Sequence, residues 1–138
     1  MILNGEGLIV GRVASFVAKR ALQGERIDIV NCEKMVITGS KDDVLTRFKT
    51  KVERGDPYHG PFYPKMPDRI VRRAIRGMLP YKEDRGKKAY KRVRCHIGIP
   101  AQLKSKKIET LEFASIKNLK TSNYVYVSEI SRYLGKNV

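Results

Sequence analysis

Four arginines, Arg69, Arg72, Arg73 and Arg76, follow one another at i, i+3, i+4 and i+7. On a helix that spacing gathers them within an arc of about 100°, opposite the apolar Ile70, Val71, Ala74, Ile75 and Met78. An arginine-only face repels itself, and apart from Asp68 no acid stands where it could pair. Guanidinium forks match phosphate oxygens two at a time and stack on flat rings. Just upstream, Tyr58, His59, Phe62 and Tyr63 supply rings that can stack on unpaired bases or ribose. The chemistry on offer is recognition of a polyanion with accessible bases. No helix-turn-helix, zinc finger or RNA-recognition motif is present, which favours structured RNA over DNA grooves.

Three other constellations carry less. Gly5-Glu6-Gly7-Leu8-Ile9-Val10-Gly11 is a near miss to the dinucleotide fingerprint, with its third glycine one residue late. A turn handing a strand over to a helix explains those glycines equally simply. Cys32, His59, Cys95 and His96 lack paired-cysteine spacing, and adjacent strand residues such as Cys95 and His96 point to opposite faces. Two histidines and 14 acids form no nucleophile elbow, no helical histidine pair and no phosphate loop. The expectation is binding rather than turnover, with no catalytic residue, metal, cofactor or small-molecule substrate.

The charge distribution agrees. Of 138 residues, 29 are Lys or Arg and 14 Asp or Glu, a net charge of +15. Residues 1–64 carry ten basic and eight acidic side chains, and residues 108–138 carry four and three. Residues 65–107 carry fifteen against three, so twelve of the net charges fall in that stretch. A near-neutral scaffold with one basic segment is the pattern of a phosphate binder. With 41% hydrophobic residues the chain can build a core, so a disordered polycation is excluded. No apolar run approaches the roughly 18 residues of a membrane span. The N-terminus lacks the features of a secretory signal, and two cysteines fit a reducing cytosol.

The elements that must position these residues read as follows. Met1–Asn4 is a short apolar start. Leu8–Leu22 has helical spacing and ends at Gly24. Arg26–Cys32 and Met35–Thr38 read as strands. Ser40 caps a polar helix over Lys41–Arg54. Residues 55–67 hold four prolines and two glycines and form a loop. Helices over Asp68–Leu79 and Lys87–Arg92 and a strand over Val93–Ile97 follow. The remainder is a polar connection, a moderately apolar stretch at Leu111–Ile116, and a final helix capped by Ser128 and closed by Gly135. This order predicts an α/β domain with a small, mostly parallel sheet.

Two blocks carry a family resemblance. Gly11-Arg12-Val13-Ala14-Ser15, with Val17-Ala18-Lys19 and Gly24, resembles the opening of large-subunit ribosomal protein family thirteen. Arg76-Gly77-Met78-Leu79-Pro80, then Arg85-Gly86 and Val93 through Gly98-Ile99-Pro100, resembles its central motif. The likeness runs through most of residues 1–100, and the short 55–67 section and small length point to the archaeal branch. It implies a three-layer α/β/α fold around a four-stranded parallel sheet, in one domain over 1–138 with loop 55–67 and tail 108–138 as extensions. It further implies a cytoplasmic, structural constituent of the large ribosomal subunit that supports assembly and translation. The implied partners are large-subunit ribosomal RNA and neighbouring ribosomal proteins, with no membrane. By position, the resemblance places Arg12, Arg72, Arg73, Arg76, Gly77, Lys82, Arg85, Lys87, Lys88 and Lys91 at the RNA. Arg69, Tyr58 and His59 join them on the pattern alone.

Overall fold

The computed structural model describes residues 1–136; Asn137 and Val138, the end of the expected tail, lie outside the described residues. In chain order the elements are β1 (Ile2–Asn4), α1 (Val10–Leu22), β2 (Ile27–Val30), β3 (Val36–Thr38) and α2 (Lys41–Glu53). Then come α3 (Pro67–Arg76), α4 (Asp84–Lys91), β4 (Val93–Cys95), β5 (Tyr124–Tyr126) and α5 (Val127–Tyr133). The α/β class is as expected.

The sheet differs in detail from the four-stranded expectation. Three parallel strands are ordered β1-β2-β4, with Ile2 opposite Asp28 and Ile27 opposite Val93. The fourth position, beside β1, is held by a single residue: Glu109 bridges Leu3, exchanging 2.8 Å hydrogen bonds with Asn4 and Ile2. β3 leaves this sheet and pairs antiparallel with β5, Val36 opposite Tyr126. On the parallel sheet, Leu3, Ile27, Ile29 and Val93 are fully buried in the main core, which includes residues of all five helices. Ile2 and Val30 join a separate cluster with Leu103, in a run of turns, and Ile108 beyond it.

Local signals explain most boundaries. α1 starts at Val10 rather than Leu8 because Leu8 and Ile9 are held in bridges to Ser115 and Val36. Ser40 Oγ accepts the Asp43 N–H at 3.3 Å, the expected cap of α2. Pro67 opens α3, where its missing N–H costs nothing. Gly86 lies inside α4 because the Pro80–Tyr81 backbone passes against it; a methyl group there would overlap the Pro80 carbonyl. α5 begins at Val127, so Ser128 is inside the helix rather than its cap. α1 packs against both α3 and α4, and α3 packs on β4. α3 is thus flanked on two sides, and this decides where its arginines go.

Candidate nucleic-acid interface

The arginine ridge of α3 divides. Arg72, at one rim, turns toward α4 and β4: its Nε donates to Val93 O at 3.2 Å and Nη2 to Tyr90 O at 3.3 Å. Its guanidinium lies 4.1 Å from the Tyr90 ring centroid. Arg72 is thereby tied to α4 and β4 through Nε, Nη2 and one face of its guanidinium. Arg76 stacks at 4.1 Å on Tyr81, which meets Tyr90 edge-to-face at 5.5 Å. Stacking occupies the face of a guanidinium and leaves its N–H edge for a phosphate.

Arg73, at the other rim, joins Arg76 and Gly77 in a groove of about 550 Å³. Across it stand Lys51 and Arg54 from the end of α2, and Phe62 and Tyr63 from the loop. None of the residues lining this groove is acidic. The Lys51 ammonium lies 5.1 Å from the Phe48 ring and 5.3 Å from Tyr63. Burial, then the charges of Arg47, Arg73 and Arg54, hold it below the ordinary lysine value. Tyr63 is pushed above the ordinary tyrosine value by burial, against the pull of Arg73 and Arg47. Phe62, 76% exposed, offers a free ring at the mouth. The groove continues over Gly77 into a cleft lined by Arg73, Arg76, Tyr81 and Lys82, with one carboxylate, Glu83, that is paired with Arg85. Phosphate contacts and a stacking surface are thus adjacent, the combination single-stranded RNA elements require.

Sequence reasoning missed Arg47, Lys51, Arg54 and Tyr81. The first three stand at i, i+4 and i+7, one face of a helix, so the signal was present. The loop rings divide too. Tyr58 and His59 sit at the tip outside the groove, Tyr58 being 90% exposed. Asp56 shapes that tip: its Oδ1 accepts the backbone N–H of Tyr58 at 2.8 Å and of His59 at 2.6 Å. These bonds hold the Asp56 carboxyl below its ordinary value.

The remaining candidates are dispersed. Arg69 is exposed on the ridge. Arg85 is paired with Glu83 at 2.7 Å, and Lys87 and Lys88 are exposed on α4. Lys91 lines a different cleft with Arg26, Asp28, Arg92 and Arg94. Arg12 donates to Phe113 O at 3.1 Å, tying α1 to the tail. Gly77 has a helical φ of −64°, and a methyl group there would meet only Ala74 and Arg73 of its own helix.

The rival chemistries find no geometry. Every amide from Gly5 to Ile9 donates within the protein: to Val30 O, Asn4 Oδ1, Lys34 O, Gly5 O and Ala114 O. A pyrophosphate cradle needs those N–H groups free. Cys32 is buried, and the neighbouring Cys95 thiol, then burial, push its thiol well above the ordinary value. His96 faces away, its Nε2 2.9 Å from Asp28 Oδ1, and His59 is in the loop.

The model of the family ribosomal protein L13 matches residues 1–102. The large ribosomal subunit protein uL13 of Archaeoglobus fulgidus is 47% identical over 135 residues, covering 97% of this chain and 86% of its own. The uL13 of Natronomonas pharaonis is 46% identical, covering 100% and 92%, and that of Methanosarcina barkeri 44%, covering 97% and 96%. These alignments extend well past residue 102, so the tail belongs to the shared chain. By the match over most of its length and by these archaeal relatives, the chain belongs to the ribosomal protein L13 family.

Proposed function

We propose that this protein is a structural, non-enzymatic constituent of the large ribosomal subunit that grips large-subunit ribosomal RNA through the α2–α3 groove. The observation that carries the reading is the groove itself: Lys51, Arg54, Arg73 and Arg76 around exposed Phe62, with no lining carboxylate. Family membership supplies the identity of the RNA. Arg73 and Arg76 take phosphates, Phe62 takes a base or ribose, and Lys82 extends the contact past Gly77. Neighbouring ribosomal proteins and a cytoplasmic, ribosome-bound location follow from the same membership. Among the described residues no helix is long and apolar enough to cross a membrane.

The test is sedimentation of a cell lysate through sucrose gradients at low and moderate salt, with wild-type chain and the variant R73E/R76E. Wild-type chain should migrate with the large subunit through moderate salt, and the variant should shift to the top fractions. A wild-type chain confined to the soluble fractions would overturn the ribosomal reading. A variant that sediments like wild type would remove the groove from it.

A further inference from the structure

A second basic site lies at the far end of α1. A cleft of about 240 Å³ is lined by Arg26, Asp28, Lys91, Arg92 and Arg94. Four of these are cationic, and the one carboxylate is engaged by His96 at 2.9 Å. The nearby Glu25 is also taken, by Arg20 at 3.3 Å. Arg92 forms the rigid wall: its Nη1 donates to Ala21 O at 2.8 Å, at the C-terminal end of α1, where the helix dipole favours a cation. Arg26, Lys91 and Arg94 are exposed around it. No aromatic or apolar side chain lines the cleft, so it offers charge to a phosphate and no surface to a base.

This cleft is not a continuation of the groove. Val10, the first residue of α1, lines the groove, whereas Ala21, near the last, anchors Arg92. The helix between them spans about 16 Å at 1.5 Å per residue. That exceeds the screening length of about 8–10 Å at ordinary salt, so each site attracts its own phosphates.

Resting on the RNA-binding reading of the groove, we propose that the Arg26–Arg94 cleft is a second, sequence-blind RNA-backbone site. The protein then holds two RNA segments together, one by phosphates and a base in the groove, the other by phosphates alone.

The test uses the whole chain, a biotinylated RNA stem-loop on beads, and a fluorescent copy of the same stem-loop in solution. Wild-type protein should retain the fluorescent copy on the beads. R26E/R94E should still bind one stem-loop through the groove yet lose retention of the second by about tenfold or more, as expected for lost phosphate contacts. The milder R26Q/R94Q should show the same loss in lesser degree, with an unchanged melting temperature. K104E/K106E, which removes equal charge from exposed lysines elsewhere, should retain the second copy. Retention by R26E/R94E at the wild-type level, or an equal loss in K104E/K106E, would overturn the proposal. R73E/R76E separates the two readings. If that variant still binds a single stem-loop and adding R26E/R94E abolishes it, the cleft stands and the groove falls.

Discussion

Arg72 and Arg76 lie one helical turn apart on the same ridge, and the structure gives them different partners. Replacing Arg72 by Ala removes two hydrogen bonds from a charged donor to Val93 O and Tyr90 O and one cation–ring contact with Tyr90. At about 1 kcal/mol for each bond and about 0.5–1 for the stack, the loss is about 3 kcal/mol. For a domain of this size that lowers the melting temperature by about 8 °C. Arg76 stacks on Tyr81 and makes no backbone hydrogen bond like those of Arg72 among the described residues, so Arg76→Ala is expected to cost about 1 kcal/mol of stability. Its effect is expected in RNA binding, where each lost phosphate contact lowers the slope of log affinity against log salt by about 0.7–0.9. Thermal melts and salt-dependent RNA titrations on the two single variants read both axes. Arg72→Ala should melt early and, once folded at low temperature, keep its salt slope; Arg76→Ala should do the reverse. An Arg72→Ala protein that melts like wild type and loses as much slope as Arg76→Ala would refute the division.

Four further predictions rest on separate features. Gly86→Ala forces a methyl group onto the Pro80 carbonyl and should cost about 1–3 kcal/mol in a thermal melt. Gly77→Ala meets nothing closer than 3.5 Å and should leave the melt unchanged or slightly raised, so any loss of RNA affinity there reports backbone approach to RNA. Tyr81→Phe keeps the ring under Arg76 and should keep RNA affinity, whereas Tyr81→Ala should lower it toward the level of Arg76→Ala in the same titration. Lys51, held below its ordinary 10.5, should lose its charge early on alkaline titration, so groove affinity for 2′-O-methyl RNA falls as pH rises through that lowered value. Its sign for stability is the opposite: the unfolded chain binds the proton more tightly, so the Lys51 contribution to folding improves as pH rises through the same range. Lys51→Arg stays charged and should flatten the affinity profile; identical profiles for the two proteins would remove Lys51 from the contact.

Periodicity made the α3 ridge legible, because four arginines and five apolar residues on opposite sides of a wheel leave one orientation. It could not tell that Arg72 would be captured, since a wheel fixes directions about the helix axis and says nothing of what stands beside it. The capturing groups, Tyr90 O and Val93 O, come from a later helix and strand. Arg47, Lys51 and Arg54 were hidden differently. Counted over residues 1–64 their charge is offset by acids such as Glu6 and Glu25, which the fold places elsewhere. β5 was missed although Tyr124, Val125 and Tyr126 suit a strand, because three residues are too short a run without their partner β3. The Glu109 bridge is one residue and leaves no pattern at all.

The groove also shows why a count of charge along the chain finds a binding segment without finding the site. Attraction for RNA depends on cations that share a volume and on how little water screens them. Lys51 and Arg73 belong to helices separated by the proline-rich loop, yet each feels the other across the groove. Half-buried Tyr63 beside Lys51 reduces the water around that charge, which raises both the repulsion in the free protein and the attraction for a phosphate. Exposed lysines such as Lys87 and Lys88 add to the net charge but sit on an open helix face, where salt screens them. The residue that should matter most for affinity is therefore Lys51, whose charge burial and the surrounding arginines disfavour in the free protein.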